Sequence, residues 1–409
     1  MKILVISHLF PTAHQIYNGI FVEQQVRELK KMGLEITVIS PVSWAPFPLP
    51  YLKEKWKGYA KAPKFIEDND FKRFTPKFIS FPKRFLFHYS GDFVWKSIKK
   101  QLSFLFAEKF DLIHANVALP DGYAAMKLAT CFNIPYLVTI HGEDFRVTIN
   151  QGKKCYNSVK MILENASKII LVSKKLDKIR QDRFPNIDDG KVVVIPNGVN
   201  EQFLDRIDIK DLKSQYQGNF VLLSVSTLLP FKGLDDNIRA FAKIKDYIPN
   251  AIYLIVGDGP YKNELEREVR SLRVERSIKF LGAKSPEDVQ RYMNLCDVFS
   301  LPSWDEAFGM VYLEAMACGK PVIGCLGEGI SDVVETGVTG WLVPPRDVDQ
   351  LSKLFLKLYK DINQRRMIGE NAKNYVGRNL TWKHNSRRVI EAYVEALNQY
   401  HDKTKVGAS

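Results

Sequence analysis

The chain of 409 residues is longer than one ordinary hydrophobic core accommodates, so two domains are expected. It is 45% hydrophobic and 26% charged and has no run of about 20 apolar residues, which argues against a membrane-spanning helix. Five scattered cysteines without a C-x-x-C pair argue against a disulfide framework and against a structural zinc site.

The first ten residues, MKILVISHLF, contain an apolar run that is too short for a signal peptide and is not followed by a small-residue cleavage site. We interpret this run as a first buried strand. The expectation is a cytoplasmic protein, free or at the inner face of the membrane.

Short runs rich in β-branched residues alternate with helix-length amphipathic segments along the chain. The predicted strands are 2–7, 35–40, 112–115, 136–141, 168–173 and 192–196 in the first half, and 220–226, 251–257, 278–282, 297–302, 321–325 and 340–344 in the second. Apolar strands separated by helices predict two doubly wound α/β domains with parallel sheets. We expect their joint within 197–218 and a ligand cleft lined by strand-to-helix loops of both domains.

The net charge of +13 is concentrated in residues 51–100, where 13 Lys/Arg face 5 Asp/Glu and thirteen aromatic residues are interleaved. Such a segment is able to dock on anionic lipid headgroups. Alternatively, its aromatics belong to the core and its lysines are a solvated edge. A nucleic-acid partner is the weakest of the three interpretations and is not expected.

Two common nucleotide-binding patterns are absent from the sequence. There is no G-x-G-x-x-G after the first strand, which disfavours a nicotinamide enzyme, and no G-x-x-x-x-G-K-[ST], which excludes a P-loop nucleotide hydrolase.

The stretch WDEAFGMVYLEAMACGKP, 304–321, predicts a helix that begins after Gly309 and ends at Gly319. Its first turn has no acidic side chain, so an anion such as phosphate is able to approach the backbone N–H groups of four residues: Phe308, Gly309, Met310 and Val311. Glu314, further inside, is placed to accept hydrogen bonds from hydroxyls, and Glu306 lies before the helix. Eight helical residues span about 12 Å, whereas glycosidase carboxyls stand about 5–9.5 Å apart, so the two acids do not form a hydrolytic pair.

Three further loops contribute candidates, each with a plain structural alternative. Lys232-Gly233 follows the strand 220–226 and either meets a phosphate or forms a simple turn. His141 ends the strand 136–141 and either contacts a substrate hydroxyl or is structural, while Asp144 is expected to cap the next segment. Gly19 precedes the helix FVEQQVRELKKMG and either permits a phosphate to approach or is a turn glycine.

These motifs together resemble glycosyltransferase family 4, retaining enzymes of the GT-B fold. The E-x7-E signature is Glu306 to Glu314 within EAFGMVYLEAMACGKPVIG. HGED (141–144), IPNGVN (195–200), VGDGP (256–260) and FLG (280–282) occur in the family's order and spacing, and the resemblance extends from residue 1 to about 400. Relatives that act on bacterial or archaeal surface polysaccharides share the segments around GIFVEQQVRELKKMG and LPDGYAA.

The resemblance implies roles for residues of the second half. Glu306 and the backbone of Phe308-Gly309 would hold hydroxyls of the transferred sugar, with Glu306 as a catalytic-site group. The N–H groups of Met310 and Val311 would bind the diphosphate together with Lys232.

It also implies the remaining donor contacts. Glu314 would bind the ribose hydroxyls, and the backbone of Ala283-Lys284 would meet the base. From the first half, Gly19 would approach the diphosphate, and His141 would contact the donor sugar as the second catalytic-site group.

The domains implied by the resemblance are an acceptor-binding domain over 1–200, a nucleotide-sugar-binding domain over 201–380 and a C-terminal helix over 381–409 that crosses back to the first domain.

One departure from the family pattern is Thr227, where the family often has an arginine that binds the diphosphate. Two D-x-D pairs, Asp68-Asn69-Asp70 and Asp347-Val348-Asp349, lack a nucleotide-binding context. No metal or other cofactor is therefore expected.

The implied activity is retaining transfer of a sugar from a UDP- or GDP-linked donor to an acceptor hydroxyl. A lipid-linked or glycan acceptor at the membrane surface, contacted through residues 51–100, is the expectation. Two alternatives stay open at this point. They are a nucleotide-sugar 2-epimerase of the same fold and a non-catalytic scaffold of a polysaccharide assembly complex.

Overall fold

The computed structural model of the protein describes residues 1–12, 15, 17–44, 48, 54–67, 71–100, 105 and 107–406. The chain divides into two units, Met1–Pro196 with Trp382–Ser409, and Asn197–Thr381. Each unit is built on one main sheet with helices between its strands. The predicted α/β class with two doubly wound domains is confirmed.

The first unit has an eight-stranded sheet and a separate two-stranded ladder. Its strands are β1 (Lys2–Ile6), β2 (Glu35–Ile39), β3 (Val42–Ser43), β4 (Phe65–Glu67), β5 (Lys72–Phe74), β6 (Lys77–Phe78), β7 (Leu112–Asn116), β8 (Tyr136–Ile140), β9 (Lys168–Leu171) and β10 (Val192–Val194). The order in the large sheet is β10-β9-β8-β7-β1-β2-β5-β4, and β3 pairs with β6. All pairs are parallel except β4 with β5.

The helices of the first unit cover this sheet. They are α1 (Ile20–Lys31), α2 (Glu54–Lys61), α3 (Ser90–Lys99), α4 (Tyr123–Phe132), α5 (Glu143–Arg146), α6 (Lys153–Asn165) and α7 (Lys174–Arg183). The C-terminal helix, Trp382–Val406, belongs to the same unit and packs on α1. Burial of the apolar faces of α1 and the C-terminal helix against β1 forms one continuous core, which includes Val5, Val26 and Tyr393.

The C-terminal helix is also held by buried polar contacts. His114 of β7 places Nδ1 2.7 Å from the Tyr393 hydroxyl and Nε2 2.7 Å from Thr139 Oγ1. Burial lowers the pKa of His114 to about 4, so the ring is neutral at neutral pH. Gln25 of α1 donates to Asn385 Oδ1 at 2.7 Å. These contacts fix the register of the helix on the sheet.

The second unit has six parallel strands in the order β13-β12-β11-β14-β15-β16. They are β11 (Phe220–Val225), β12 (Ala251–Val256), β13 (Ile278–Gly282), β14 (Val298–Ser300), β15 (Val322–Cys325) and β16 (Gly340–Val343). Its helices are α8 (Lys210–Gln215), α9 (Leu234–Ile244), α10 (Lys262–Ser271), α11 (Pro286–Leu295), α12 (Met310–Ala317), α13 (Val348–Lys360) and α14 (Ile362–Asn379). The strand order reverses between β11 and β14, which is the position where open α/β sheets bind ligands.

The twelve predicted strands are confirmed, and their observed ends lie within two residues of the predicted ones. The strand elements within 51–100, β4 to β6, were not predicted, because each has only two or three residues, and β5 and β6 combine lysine or arginine with an aromatic residue. The aromatics of this segment divide in the structure: Phe71 and Phe78 are buried, whereas Phe81, Phe85 and Tyr89 are exposed. Neither lipid docking of all the aromatics nor burial of all of them in the core therefore describes the whole segment.

In the described part of the chain, no helix combines the length and the apolar character that crossing a bilayer requires.

Replacing Tyr393 with Phe should lower the free energy of unfolding by about 1–3 kcal/mol, because His114 Nδ1 then stays buried without a partner. Tyr400→Phe is the matched control, since the Tyr400 hydroxyl donates to Asn133 at an exposed position. That control should change stability by less than about 0.5 kcal/mol. Urea denaturation measures both, and equal losses would contradict the structural role of the buried pair.

Candidate active site

The loop between β14 and α12 is anchored at both of its ends. The Tyr312 hydroxyl of α12 donates to the backbone carbonyl of Leu301, which holds the helix to the strand before it. Gly309, the N-cap of α12, has φ 90°, and a Cβ there would lie 2.6 Å from the Tyr312 ring. Only glycine fits this position, so the helix start has one defined backbone geometry.

The start of α12 has the properties of an anion-binding site. No acidic residue lies in its first turn, as the sequence predicted. Among the described residues, the backbone N–H groups of Phe308, Gly309, Met310 and Val311 have no hydrogen-bond acceptor. The helix dipole adds partial positive charge at the same end.

Lys232 and Glu306 form an ion pair that joins the loops after β11 and β14. The side chains are only 15% and 18% exposed. The Ser303 hydroxyl donates to Glu306 Oε2 at 3.1 Å. Gly233 makes the approach of the two loops possible, because its φ is 66° and a Cβ would lie 2.3 Å from the Pro302 carbonyl oxygen.

Glu328, in the loop after β15, was missed by sequence reasoning. Its Oε2 accepts a hydrogen bond from the backbone N–H of Glu306 at 2.6 Å. The following Gly329 lies so close to the same loop that a Cβ would be 2.0 Å from the Ala307 carbonyl oxygen. The sequence signal was an acid between two glycines directly after a predicted strand, on the side of β14 opposite to Lys232.

Glu314 is half-buried on α12, and its carboxylate forms no hydrogen bond or ion pair with another described residue. Burial raises the pKa of Glu314 to about 7. A desolvated carboxylate without a partner is unfavourable in the isolated protein, and it becomes satisfied if ligand hydroxyls donate to it.

Three other predicted positions lie at the same edge of this sheet. Thr227, in the loop after β11, is exposed, and the hydroxyl of the adjacent Ser226 is buried without a partner. Ala283 is exposed and Lys284 half-buried in the loop after β13. Ser285 then caps α11 by accepting from Asp288 N at 3.1 Å.

The carboxylates of the second D-x-D pair serve the structure of this unit. Asp347 Oδ1 caps α13 by accepting from Gln350 N at 2.8 Å, and Asp349 pairs with Lys243 at 2.5 Å. The first pair, Asp68 and Asp70, lies outside the described residues. Within those residues, no group of three or more His, Cys, Asp or Glu is arranged to hold a metal ion.

In the first unit, His141 lies directly after β8 against the Phe21 ring, with 4.7 Å between ring centroids. His141 Nε2 lies 3.1 Å from Asn116 Oδ1, which accepts, so Nε2 carries the proton. Burial lowers the pKa of His141 to about 3. Its Nδ1 is then a buried acceptor without a partner in the described structure, suited to a ligand hydroxyl.

Asp144 does not cap the segment that follows it, so that prediction was wrong. Its Oδ1 instead accepts from the backbone N–H of Ala118 at 2.8 Å, and Oδ2 is buried without a partner. Burial raises the pKa of Asp144 to about 7. The carboxyl ties the loop after β7 to the loop after β8.

A second polar pair at this edge, His8 with Asp121, was also missed. His8 Nδ1 lies 2.9 Å from Asp121 Oδ2, and the backbone N–H of His8 donates to the same carboxylate oxygen at 3.0 Å. Burial disfavours the charged imidazole, but the Asp121 charge outweighs it and the pKa of His8 is raised. The available signal was an acid in LPDG after the predicted strand 112–115.

Gly19 is the N-cap of α1, with φ 69°. A Cβ there would lie 2.2 Å from the Leu9 carbonyl carbon, so the loop after β1 requires this glycine even without a ligand. The structure thus brings together Lys232, Glu306 and the start of α12 in the second unit, and in the first unit it places His141 beside Asn116.

Solved structures with this fold include a sucrose-phosphate synthase and a HepE protein. Sucrose-phosphate synthase from Thermosynechococcus elongatus aligns over 98% of this chain and 100% of its own with a TM-score of 0.80 at 23% identity. Anabaena HepE in complex with UDP-glucose aligns over 96% and 98% with a TM-score of 0.71 at 22% identity. The two doubly wound units are those of the GT-B fold.

The sequence comparisons identify the family. The family model described as Glycosyltransferase Family 4 matches residues 19–203, and the model described as Glycosyl transferases group 1 matches residues 205–375. The chain is 32% identical to an uncharacterized glycosyltransferase of Methanocaldococcus jannaschii, over 71% of this chain and 76% of that protein. It is 30% identical to N-acetyl-alpha-D-glucosaminyl L-malate synthase of Bacillus anthracis, over 66% and 70%.

The chain belongs to glycosyltransferase family 4, and the resemblance read from its motifs is confirmed. It is an enzyme, a glycosyltransferase. The matches give no support to the epimerase or to the non-catalytic scaffold considered from the sequence.

Gly309→Ala should destabilise the second unit, because the added methyl meets the Tyr312 ring at a positive φ. Gly327→Ala is the matched control, since Gly327 also has a positive φ of 82° but open space around its Cβ position. We expect a loss of about 1–3 kcal/mol more for Gly309 than for Gly327 in urea unfolding. Equal losses would contradict a helix start set by this contact.

Proposed function

We propose that this glycosyltransferase transfers a sugar from a nucleoside diphosphate sugar to an acceptor hydroxyl with retention at the anomeric carbon, without a metal ion. The proposal rests on one observation: four N–H groups without an acceptor lie at the start of α12, in the connection after β14, and the ammonium of Lys232 lies in the loop after the neighbouring strand β11. Fixed donors of this kind stabilise the charge that develops on a leaving diphosphate.

Each proposed donor contact follows from the chemistry of a described group. Glu306, oriented by Lys232 and Ser303, accepts from hydroxyls of the transferred sugar. Glu314 accepts from the ribose hydroxyls. Ala283 and Lys284 present backbone groups to the base at the edge of the sheet.

From the first unit, the proposal uses His141 and Gly19. His141 is neutral, and its unpartnered Nδ1 accepts from a donor-sugar hydroxyl. Gly19 lets the diphosphate approach the backbone at the start of α1. The proposal uses His141 Nδ1 to bind a sugar hydroxyl, and Glu306 is paired with Lys232, so neither is assigned as a covalent nucleophile. We therefore propose a front-face reaction in which the leaving phosphate takes the acceptor proton.

The donor site is tested by thermal unfolding with UDP, GDP and ADP in EDTA. HepE, whose structure was solved with UDP-glucose, makes UDP the first nucleotide to examine. One nucleotide should raise the midpoint in EDTA. No shift with any nucleotide at millimolar concentration, or a shift that needs a divalent metal, would overturn the metal-free site.

Lys232→Met should weaken binding of the stabilising nucleotide by about 10-fold to 100-fold, because a charge-assisted contact to phosphate is lost. Lys353→Met, an exposed lysine of α13, is the matched control and should leave affinity unchanged. Isothermal titration calorimetry measures both variants. Unchanged affinity in Lys232→Met would remove Lys232 from the diphosphate site.

Nucleotide affinity should also depend on pH through Glu314. Its pKa is raised to about 7, so the carboxyl group must lose its proton before both of its oxygens accept hydrogen bonds from hydroxyls. Affinity should therefore fall about tenfold between pH 8 and pH 6 beyond the change caused by the nucleotide's own titration. The Glu314→Gln variant should bind the nucleotide weakly at both pH values and should lack that additional pH dependence. If the variant shows the same pH profile as the wild type, the assignment of Glu314 is contradicted.

For the acceptor, we propose a lipid-linked or glycan molecule reached at an anionic membrane surface. The support is an aromatic-basic patch, defined as residues 79–89 with Lys154. Phe85 is 65% exposed, Phe81 and Tyr89 are exposed, and Lys154 lies 5.7 Å from the Tyr89 ring centroid. Exposed aromatics beside lysines suit the interface between headgroups and acyl chains.

The patch is tested by sedimentation with vesicles of phosphatidylcholine and phosphatidylglycerol in a 3:1 ratio. The double variant Lys83→Gln/Phe85→Ser should reduce the bound fraction several-fold, because one positive charge and the most exposed ring of the patch are lost. Tyr247→Ser removes a 73% exposed ring of the second unit and should not change binding. If the wild type stays in solution, or the two variants behave alike, the membrane proposal fails.

A further inference from the structure

The first unit contains a cavity of about 470 Å³ that none of the proposed donor contacts uses. It lies beside Pro11 and Thr12 of the loop after β1, and Arg73 and Thr75 at the carboxyl end of β5 close another wall. The last turn of α2, at Lys61, covers it. Its volume falls within the range of small-molecule sites, about 300–1,000 Å³.

Arg73 gives this cavity its chemistry. Its side chain is 8% exposed and forms no ion pair with a described carboxylate. Nη2 donates to Ser40 Oγ at 3.2 Å, whereas Nε is buried without any acceptor. The guanidinium lies 4.5 Å above the Phe10 ring, which supports one of its faces. Burial lowers the pKa of Arg73 to about 10, so it remains charged at neutral pH.

The charge of Glu23 acts on Arg73 from a distance, but no described carboxylate forms an ion pair with the guanidinium, so an anion that accepts from its free N–H groups would stabilise the buried cation. Glu23 also lines the cavity, but its carboxylate already pairs with Arg27 Nη2 at 2.8 Å. Lys61 adds a second cation at the rim. Among the described groups, Arg27, Arg73 and Lys61 together outnumber the single carboxylate of Glu23, so the charge around the cavity is positive on balance.

The rest of the wall is mainly apolar. The apolar contributions come from the residues Pro11, Val42, Ala62, Pro63 and Ile66. A small inorganic anion would satisfy Arg73 but leave this surface in contact with water, and a neutral hydrocarbon would do the opposite. A ligand that satisfies both has an anionic group joined to an apolar chain.

We infer that this cavity binds a monoalkyl phosphate, with the phosphate on Arg73 and the hydrocarbon against the apolar wall. Two cations favour a phosphate over a singly charged carboxylate, and the guanidinium is able to donate from two adjacent nitrogens. The inference deepens the proposed function, on which its biological meaning rests. If the acceptor is lipid-linked, this cavity holds the phosphate-bearing end of its lipid.

The test is isothermal titration calorimetry of the full chain with decyl phosphate below its critical micelle concentration. We expect binding at one molecule per chain. Inorganic phosphate and the neutral decyl maltoside should each bind at least tenfold more weakly. Equal affinity for inorganic phosphate or for decyl maltoside, or no saturable binding, would overturn the inference.

Arg73→Met should weaken decyl phosphate binding at least tenfold. Lys72→Met, the exposed neighbour on the same strand, is the control and should bind normally. Ala62→Phe keeps Arg73 and fills the cavity, so it should also lose binding even if Arg73→Met fails to fold. Wild-type affinity in either Arg73→Met or Ala62→Phe would place the ligand elsewhere.

The same measurement separates this site from the membrane patch and from donor binding. Lys83→Gln/Phe85→Ser should bind decyl phosphate normally, and a loss in that variant would assign the ligand to the patch and overturn the inference. Because no donor is present, decyl phosphate binding is measured independently of sugar transfer. Failure of the transfer assay with intact binding would therefore count against the proposed function alone.

Discussion

The close approach of the loops after β11 and β14 is the constraint on which the candidate site depends. These two strands are neighbours where the strand order reverses, so their loops must share the same edge of the sheet. Gly233 permits backbone contact with Pro302, and the Lys232–Glu306 pair then joins the loops in a largely buried position. Removing either charge would leave the other largely buried without its ion-pair partner, which is why the two side chains act as one unit.

The proposed chemistry follows from groups that the fold already holds in place. The N–H groups at the start of α12 and the Lys232 ammonium do not need to reorganise when charge develops on a diphosphate. Glu314 is half-buried with a pKa raised by burial, whereas Nδ1 of His141 is fully buried without a partner in the described structure. Both are acceptors suited to hydroxyl groups.

Much of the second unit could be predicted from the sequence, because its signals are local. A glycine before an apolar helix without an acidic first turn identified the start of α12, and the predicted strands were short, mainly apolar runs. Glu328, the His8–Asp121 pair and Arg73 were not identified as site residues. Their roles depend on which strands become neighbours, and no local pattern specifies that Glu328 meets the backbone of Glu306.

The segment 51–100 shows the same limit in another form. Its lysines and arginines look equivalent in the sequence, yet Arg73 is buried on a short strand while Lys72 on the same strand is exposed. Alternation along β5 places the two side chains on opposite faces, and only the pairing of β5 with β2 decides which face is covered. Composition alone therefore predicts a basic surface but not the internal cation.

The most direct test of the account is a crystal structure of the protein grown with the stabilising nucleotide in EDTA. The account predicts diphosphate oxygens within hydrogen-bond distance of the Met310 and Val311 N–H groups and of Lys232 Nζ, with the ribose hydroxyls on Glu314 and no bridging metal. A nucleotide bound away from the start of α12, or one whose phosphates contact none of these groups, would contradict it.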